Sequence, residues 1–336
     1  MTTLKNVAEI AEVSVASVSR YFNAPEKVRP ETRKRIQAAI KVTGYRFNYS
    51  AKVLSTQRTH TIGLVIPTIT NTVFAESTRG LQDVAALYDY QVLMTNADYE
   101  PVVETKLIRH LLERQVDALV VTVSNPEKII SAELADVSIP LVTMFSSYSH
   151  PSVLSVGIDN EQGGYDATEH LVKLGHKRIA MLAGSFLSSD RSRDRYEGYL
   201  KCLRHHGLKV DPRMVIEVPF SLEYCKFGVR ELLKAPEPPT AIFASNDLMA
   251  IGVMNVLQEL GYDVPGDISV IGFDDIPMAS FISPKLTTIR QPVYEMGRMA
   301  GRQLFQALEQ KENVENQSVL KHELIVREST AQCCRI

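Results

Sequence analysis

Residues 3–23 read TLKNVAEIAEVSVASVSRYFN, and the front of the chain is decided by this stretch. Thr3 carries the hydroxyl of a helix N-cap, and Val7, Ala8, Ile10 and Ala11 fall on one side of a helix over 4–12. The rhythm breaks at Val13-Ser14. Ser14 can cap a second helix over 15–22 by accepting the backbone N–H of Ala16 or Ser17. A third helix is expected from Pro30, suited to a first helical position, to just before Gly44, suited to the position past the end. Ile36, Ala39 and Ile40 recur along it at helical spacing. Two short helices joined by a tight turn and backed by a third form a helix-turn-helix, whose second helix enters the major groove of DNA.

In such a unit the first residues of the second helix meet base edges. Here they are Val15, Ala16 and Ser17, followed by Ser19 and Arg20. Val15 and Ala16 suit apolar contact with a thymine methyl, the serines suit base edges or phosphate, and Arg20 suits guanine or phosphate. Charge agrees with the assignment. Residues 1–60 hold 11 Lys and Arg against 4 Asp and Glu, whereas the rest of the 336-residue chain holds 26 against 35. A basic head on an acidic body is the electrostatic footprint of nucleic-acid contact at one end.

Past Tyr45 comes a basic, polar stretch to about His60, read as a hinge, and then the periodicity changes. Nearly all-apolar runs at 61–66, 91–95, 118–123, 140–144, 178–182, 240–244 and 268–273 read as strands. Amphipathic helical patterns, such as 103–114, 164–174 and 248–260, separate most of them. Strands alternating with helices imply parallel sheets covered on both faces. Some 270 residues of such alternation fit two doubly wound lobes. A helix over 291–308 and a final strand over 320–326 close the chain.

The expected fold is therefore a small all-α helix-turn-helix head plus an α/β body of two doubly wound parallel-sheet lobes. The head spans 1–46 and the hinge 47–60. The body spans 61–330, with lobe 1 at about 61–160 plus 291–318, and lobe 2 at about 161–289 plus 319–330. Residues 331–336 form a tail.

Other classes fare poorly. Cys202, Cys225, Cys333 and Cys334 show neither a metal-ligand spacing nor a disulfide framework, which suits a reducing compartment. No signal-peptide pattern opens the chain and no apolar run is long enough to span a bilayer, so a cytoplasmic protein without a membrane partner is expected. Dinucleotide-binding, P-loop, nucleophile-elbow and zinc-protease motifs are missing. Asp274-Asp275 has no His or Glu at ligand spacing. No catalytic residue, metal or cofactor is assigned.

The residues of the head resemble the lactose/galactose repressor family. The resemblance rests on Leu4-Lys5-Asn6-Val7-Ala8, Ala11, Val13-Ser14, Val18-Ser19-Arg20 and Asn23, continued by Thr32-Arg33, Ala39 and Gly44-Tyr45. In the body it rests on 71–76, Ile158-Asp159-Asn160, 174–180, Arg195, Gly198-Tyr199, 271–275 and 286–289. The resemblance implies a ligand-responsive transcription regulator, a repressor, that binds a pseudo-palindromic operator in double-stranded DNA as a homodimer. It implies a hinge helix over 48–54, in which Leu54 enters the minor groove, flanked by Ala51 and Lys52. An apolar wedge there would unstack a base step beside a phosphate-binding cation. It also implies a body similar to periplasmic sugar-binding proteins, with the effector between the lobes, at the carboxyl ends of the parallel strands.

Residues just past strand ends are the effector candidates: Phe74 and Phe220 to stack on a ring, and Arg195, Asn246 and Asp274 to bond hydroxyls. Asp159 is included, although a loop Asp often only caps the next helix. Arg191 and Arg193 are read as facing solvent, and His176 as structural. Where the family often has a polar residue after the strand at 140–144, this chain has Phe145-Ser146-Ser147. A third aromatic makes the site less polar, so a sugar or sugar derivative is expected first and a nucleobase or nucleoside second. The dimer interface is expected near helix 74–87. The short tail leaves no room for a heptad pair, so assembly is expected to stop at the dimer.

Overall fold

The computed structural model describes residues 2–45, 58–134, 137–146, 148, 150, 153–310 and 316–333. The chain divides into two compact units, Met1–Thr59 and His60–Ile336.

The first unit is built by α1 (Leu4–Ile10), α2 (Val15–Asn23) and α3 (Pro30–Thr43). Thr3 and Asn6 cap α1 reciprocally: the Thr3 hydroxyl accepts the Asn6 N–H at 3.4 Å, and the Asn6 side chain accepts the Thr3 N–H at 2.9 Å. Ser14 Oγ accepts the Ser17 N–H at 3.1 Å and starts α2. Gly44, at φ +63°, ends α3 in the left-handed conformation that costs glycine little. α1 stops two residues earlier than its pattern suggests, and Glu12, also left-handed at φ 51°, turns the chain toward Ser14. Val7, Val18, Ile36 and Ala39 form the buried centre.

The second unit holds two six-stranded sheets. The first contains β1 (Thr61–Ile66), β2 (Gln91–Asn96), β3 (Ala118–Val121), β4 (Leu141–Met144), β5 (Leu154–Ile158) and β11 (Gln317–Leu320), in the order β11-β5-β4-β3-β1-β2, all parallel. The second contains β6 (Ile179–Gly184), β7 (Val215–Val218), β8 (Ala241–Ala244), β9 (Ser269–Asp274), β10 (Thr287–Arg290) and β12 (Glu323–Ile325). Its order is β12-β10-β9-β8-β6-β7, parallel except for β12 on β10. The chain passes between the sheets after β5, after β10 and between β11 and β12.

The segment expected to be one strand at 320–326 is two, because the chain leaves the first sheet at Leu320 and joins the second at Glu323. β5, β7 and β10 were not anticipated. β10 hides behind polar letters: Thr287 and Thr288 are fully buried, and their hydroxyls are satisfied by the Arg327 N–H and the Asp247 carboxylate.

The helices are α4 (Thr72–Leu87), α5 (Pro101–Glu113), α6 (Pro126–Ile129), α7 (Asn160–Lys173), α8 (Asp190–His205), α9 (Leu222–Leu233), α10 (Asp247–Glu259) and α11 (Val293–Leu308). α4 packs on α11, and α7 on α8, at backbone contact. A Cβ on Gly297 would lie 1.8 Å from the Ser77 carbonyl, and one on Gly198 would lie 1.9 Å from that of Glu161. His176 is buried, with its ring between the Thr240 and Ser269 hydroxyls at 3.0 and 3.1 Å. Burial holds its pKa below the ordinary histidine value, so it is a neutral structural clamp.

Candidate functional site

On α2, Val18 is turned into the core while Val15, Ala16 and Arg20 are exposed, Val15 by 45%. Ser17 and Ser19 are half-buried, and the Ser17 hydroxyl lies 2.9 Å from that of Ser14 at the helix start. The exposed edge of α2 is thus short, apolar at its beginning and cationic one turn later. Lys5, Lys27, Arg29, Lys34, Arg35 and Lys41 are exposed on the same unit. Arg33 is not: its guanidinium donates to the Pro25 and Val28 carbonyls and ties the α2–α3 connection. Ala51, Lys52 and Leu54 lie outside the described residues.

In the second unit the carboxyl ends of strands from both sheets converge on an inner cavity of about 30 Å³, adjoined by one of about 390 Å³ that shares Asn71, Tyr99, Phe220 and Asn246 with it. The first lobe contributes Asn71, Val73 and Phe74 beyond β1, Tyr99 beyond β2 and Phe145 beyond β4. The second contributes Arg191 and Arg195 from α8, Phe220 beyond β7, Asn246 beyond β8 and Asp274 at the end of β9, with Gln291 at the crossing. Six of the seven residues expected there line it: Phe74, Phe145, Arg195, Phe220, Asn246 and Asp274. Asp159 does not. It is exposed and caps α7, accepting the Gln162 N–H at 2.8 Å.

Two buried charges anchor the site. Arg195 donates to Asn160 Oδ1 at 2.9 Å and to the Ser245 carbonyl at 2.6 Å, lies over the Phe273 ring, and approaches Asp274 to 3.7 Å. Burial pulls its pKa down to about 10, opposed by Asp274, so it stays protonated at neutral pH. Asp274 accepts from Gln291 Nε2 at 2.6 Å; burial raises its pKa and Arg195 holds it down. Rings fill much of the remaining space. Tyr99 and Phe220 stack across the two lobes, centroids 4.1 Å apart and planes within 15°, and Phe74 meets Phe145 edge-on at 5.3 Å.

Arg191 corrects the sequence reading. It is buried because the start of α8 is drawn against the first lobe: the Asp190 N–H donates to the Ser124 carbonyl, Ser146 Oγ to Asp190, and Arg191 Nη1 to the Val123 carbonyl. Glu104, itself buried, holds Ser124 through that residue's N–H and hydroxyl at 2.8 and 2.7 Å. Arg191 Nη2 and Gln291 Oε1 have no hydrogen-bond partner among the described residues. Tyr99 and Gln291 were missed; Tyr99 closely follows β2, an anticipated strand, and that position was the signal available, whereas Gln291 follows β10, which was not anticipated. Arg193 is exposed, as read. Among the described residues no acidic, His or Cys cluster is arranged to hold a metal ion, and no helix is long and apolar enough to cross a membrane.

A helix-turn-helix joined to a two-lobed body can now be set beside known proteins. Residues 3–48 match the model of bacterial regulatory proteins of the lacI family, and 168–330 that of the periplasmic binding protein-like domain. Catabolite control protein A of Priestia megaterium is 36% identical over 329 residues, covering 98% of this chain and 99% of that protein. The chain belongs to the lacI family. Another relative of this lacI-family protein is the HTH-type transcriptional repressor CytR of Escherichia coli (strain K12), 33% identical over 98% of this chain and 96% of its own length. Among solved structures, the lac repressor dimer bound to operator and the anti-inducer ONPF is similar at TM-score 0.86 and 29% identity, covering 98% of this chain and 99% of that one. The CelR–cellobiose complex is similar at TM-score 0.72 and 30% identity, covering 98% of this chain and 100% of that one. This lacI-family protein is a DNA-binding transcriptional regulator with an effector-binding body, not an enzyme.

Proposed function

We propose that this regulator is a cytoplasmic repressor that binds a pseudo-palindromic operator as a homodimer and responds to a sugar or sugar derivative held between its lobes. One observation carries the effector class. A donor, Arg191 Nη2, and an acceptor, Gln291 Oε1, belong to residues lining the same cavity and have no partner among the described residues. A hydroxyl can accept from the first and donate to the second, and a polyol brings several hydroxyls to the Arg195, Asn246 and Asp274 groups nearby. The aromatic rings of Phe74, Tyr99, Phe145 and Phe220 favour a second reading, a nucleobase or nucleoside stacked on one of them. Either ligand needs far more than the inner cavity's volume to reach Arg191 and Gln291, since small-molecule sites run to about 300–1,000 Å³. Entry therefore requires the lobes to part and the Tyr99–Phe220 stack to open. An effector shifts operator affinity only through its different affinity for the two arrangements.

The deciding experiment is an operator titration at fixed salt with a panel of sugars and nucleosides. A sugar should change affinity by about 5- to 150-fold, the usual range of allosteric coupling. A response confined to nucleosides selects the second reading, and no operator shift under any condition ends the proposal. In the same assay Arg20→Ala should weaken specific binding by about 1–3 kcal/mol if it reads a base. If it holds phosphate instead, binding should weaken uniformly across sequences, with a salt slope reduced by about one.

A further inference from the structure

We propose that this regulator carries a second small-molecule site, for an anion, at the end of the second sheet opposite the cleft. Lys177 and Arg178 precede β6, Arg213 and Met214 precede β7, and 235–237 lead toward β8; together with Lys209 they enclose about 400 Å³. That volume lies within the range of metabolite sites. Ile179, Met214 and Tyr199 give the cavity apolar walls.

The charges are uneven. Of the two carboxylates, Asp211 is taken by Arg213, which donates to it through Nε and Nη2 at 3.0 and 2.7 Å and holds its pKa at about 2. Only Glu237 then stands against Lys177, Lys209 and Arg178. Arg178 uses its Nε alone, on the Pro238 carbonyl at 3.1 Å. Both lysines are exposed and make no ion pair among the described residues. Beyond residue 60 the chain carries 35 acids against 26 bases, so this cluster runs against the sign of its surroundings. A concave, partly apolar cavity lined by convergent cations focuses potential on an anionic oxygen. The ligand that fits is a compact metabolite bearing a phosphate or carboxylate on a small body.

The position suggests what such a site is for. Arg191, Arg195 and Tyr199 are spaced by four residues along α8 and so share one face of it. The two arginines line the cleft and the tyrosine lines the second cavity, its hydroxyl donating to the Ile179 carbonyl at 2.8 Å. Eight residues of helix span about 12 Å. An anion bound beside Tyr199, past the middle of α8, therefore touches the element that carries the cleft's cations in its first two turns.

Calorimetric titration of the full chain with ribose 5-phosphate, inorganic phosphate, gluconate and ribose, at constant ionic strength, tests the proposal. Binding by the phosphates alone identifies a phosphate site, binding by gluconate alone a carboxylate site, and both leave the shared anion chemistry standing. Lys177→Glu/Lys209→Glu should weaken the bound probe at least about tenfold, the loss expected for two charge-assisted contacts. Phe220→Ala, in the cleft, should leave it unchanged. Lys177→Gln/Lys209→Gln serves if the glutamate pair does not fold by circular dichroism. Equal affinity in parent and lysine variant, loss in Phe220→Ala, binding of ribose as tight as ribose 5-phosphate, or no anion binding at all would each overturn the site.

Discussion

Phe281→Asp is expected to make the chain monomeric at concentrations where the parent is a dimer, and to lower operator affinity by about 10²- to 10⁴-fold, the scale of lost avidity. Phe281 is 82% exposed, and Met278 54%, on a short turn of the second lobe. Beside them opens a groove of about 460 Å³ lined by Ile251, Met254, Tyr262 and Ile282. The first lobe adds Leu87, exposed by 80%, with Leu93 and Met94 on the edge strand β2. Large apolar groups clustered at such exposure mark an association surface, and an open parallel edge adds to it. A second copy of this chain is the partner that the proposed two-fold operator calls for, because one helix-turn-helix makes few base contacts. An aromatic anchor near an interface centre is worth about 2 kcal/mol or more, and two-fold symmetry counts it twice. Phe281 has little buried surface to lose, so the monomer should keep its circular dichroism. Sedimentation velocity and operator titration decide the matter together. A variant that stays dimeric retires the patch; a monomer with undiminished operator affinity retires the dimer mechanism. The sequence reading places the interface near helix 74–87; Leu81 and Val84 are buried where α4 packs on α11, while Ala75, Glu76, Arg79, Gln82, Asp83, Ala86 and Leu87 leave an exposed face along the helix that can border the same surface.

What could be read from the sequence was what local chemistry dictates. Thr3, Ser14, Pro30 and Gly44 mark helix ends because each satisfies or tolerates an end in a way few residues can, and their helices begin and end there. β1, β8 and β9 are apolar along their centres because helices cover both faces, and such runs stand out. Position past a strand end pointed to Phe74, Asn246 and Asp274 as neighbours, since doubly wound sheets bring carboxyl ends together, and the family resemblance pointed to Arg195. What remained hidden depends on partners distant in sequence. Thr287 and Thr288 look like surface residues until Arg327 and Asp247 are placed beside them. Arg191 looks solvated until Val123, 68 positions away, takes its guanidinium. Tyr99, for all its place just past β2, shows its role only when Phe220 lies flat against it. Asp159 shows the reverse case: its local role as a cap is the role the fold gives it.

Arg195→Leu should be the most damaging single change in the body. It strips the donor from Asn160 Oδ1 and the Ser245 carbonyl, and it leaves the buried Asp274 with the Gln291 amide as its hydrogen-bond donor and Arg191 as the remaining cation acting on it. Breaking a buried pair on one side costs about 3–5 kcal/mol. Against a total stability of about 5–15 kcal/mol, that is a large share. It should lower Tm by roughly 6–20 °C for a body of this size. The pH dependence separates charge from packing. Burial raises the Asp274 pKa above its ordinary 3.8, and Asp247, fully buried nearby, is raised well above it. A raised carboxyl pKa means the folded state binds the proton more tightly. That stabilisation is complete below the ordinary value and is lost as pH rises through the raised one. Arg195 opposes the rise at Asp274, so its removal pushes that pKa further up and widens the range over which stability is lost. The deficit of Arg195→Leu against the parent should therefore be smallest in acid and grow toward neutral pH in urea unfolding at pH 5 and 7.5. Arg195→Leu/Asp274→Asn, which removes the stranded charge, should recover part of the loss and flatten the pH dependence. A deficit that is the same at both pH values and unrelieved by the second substitution would mean that Arg195 supports the cleft by its contacts with Phe273, Asn160 and Ser245, with its charge toward Asp274 contributing nothing.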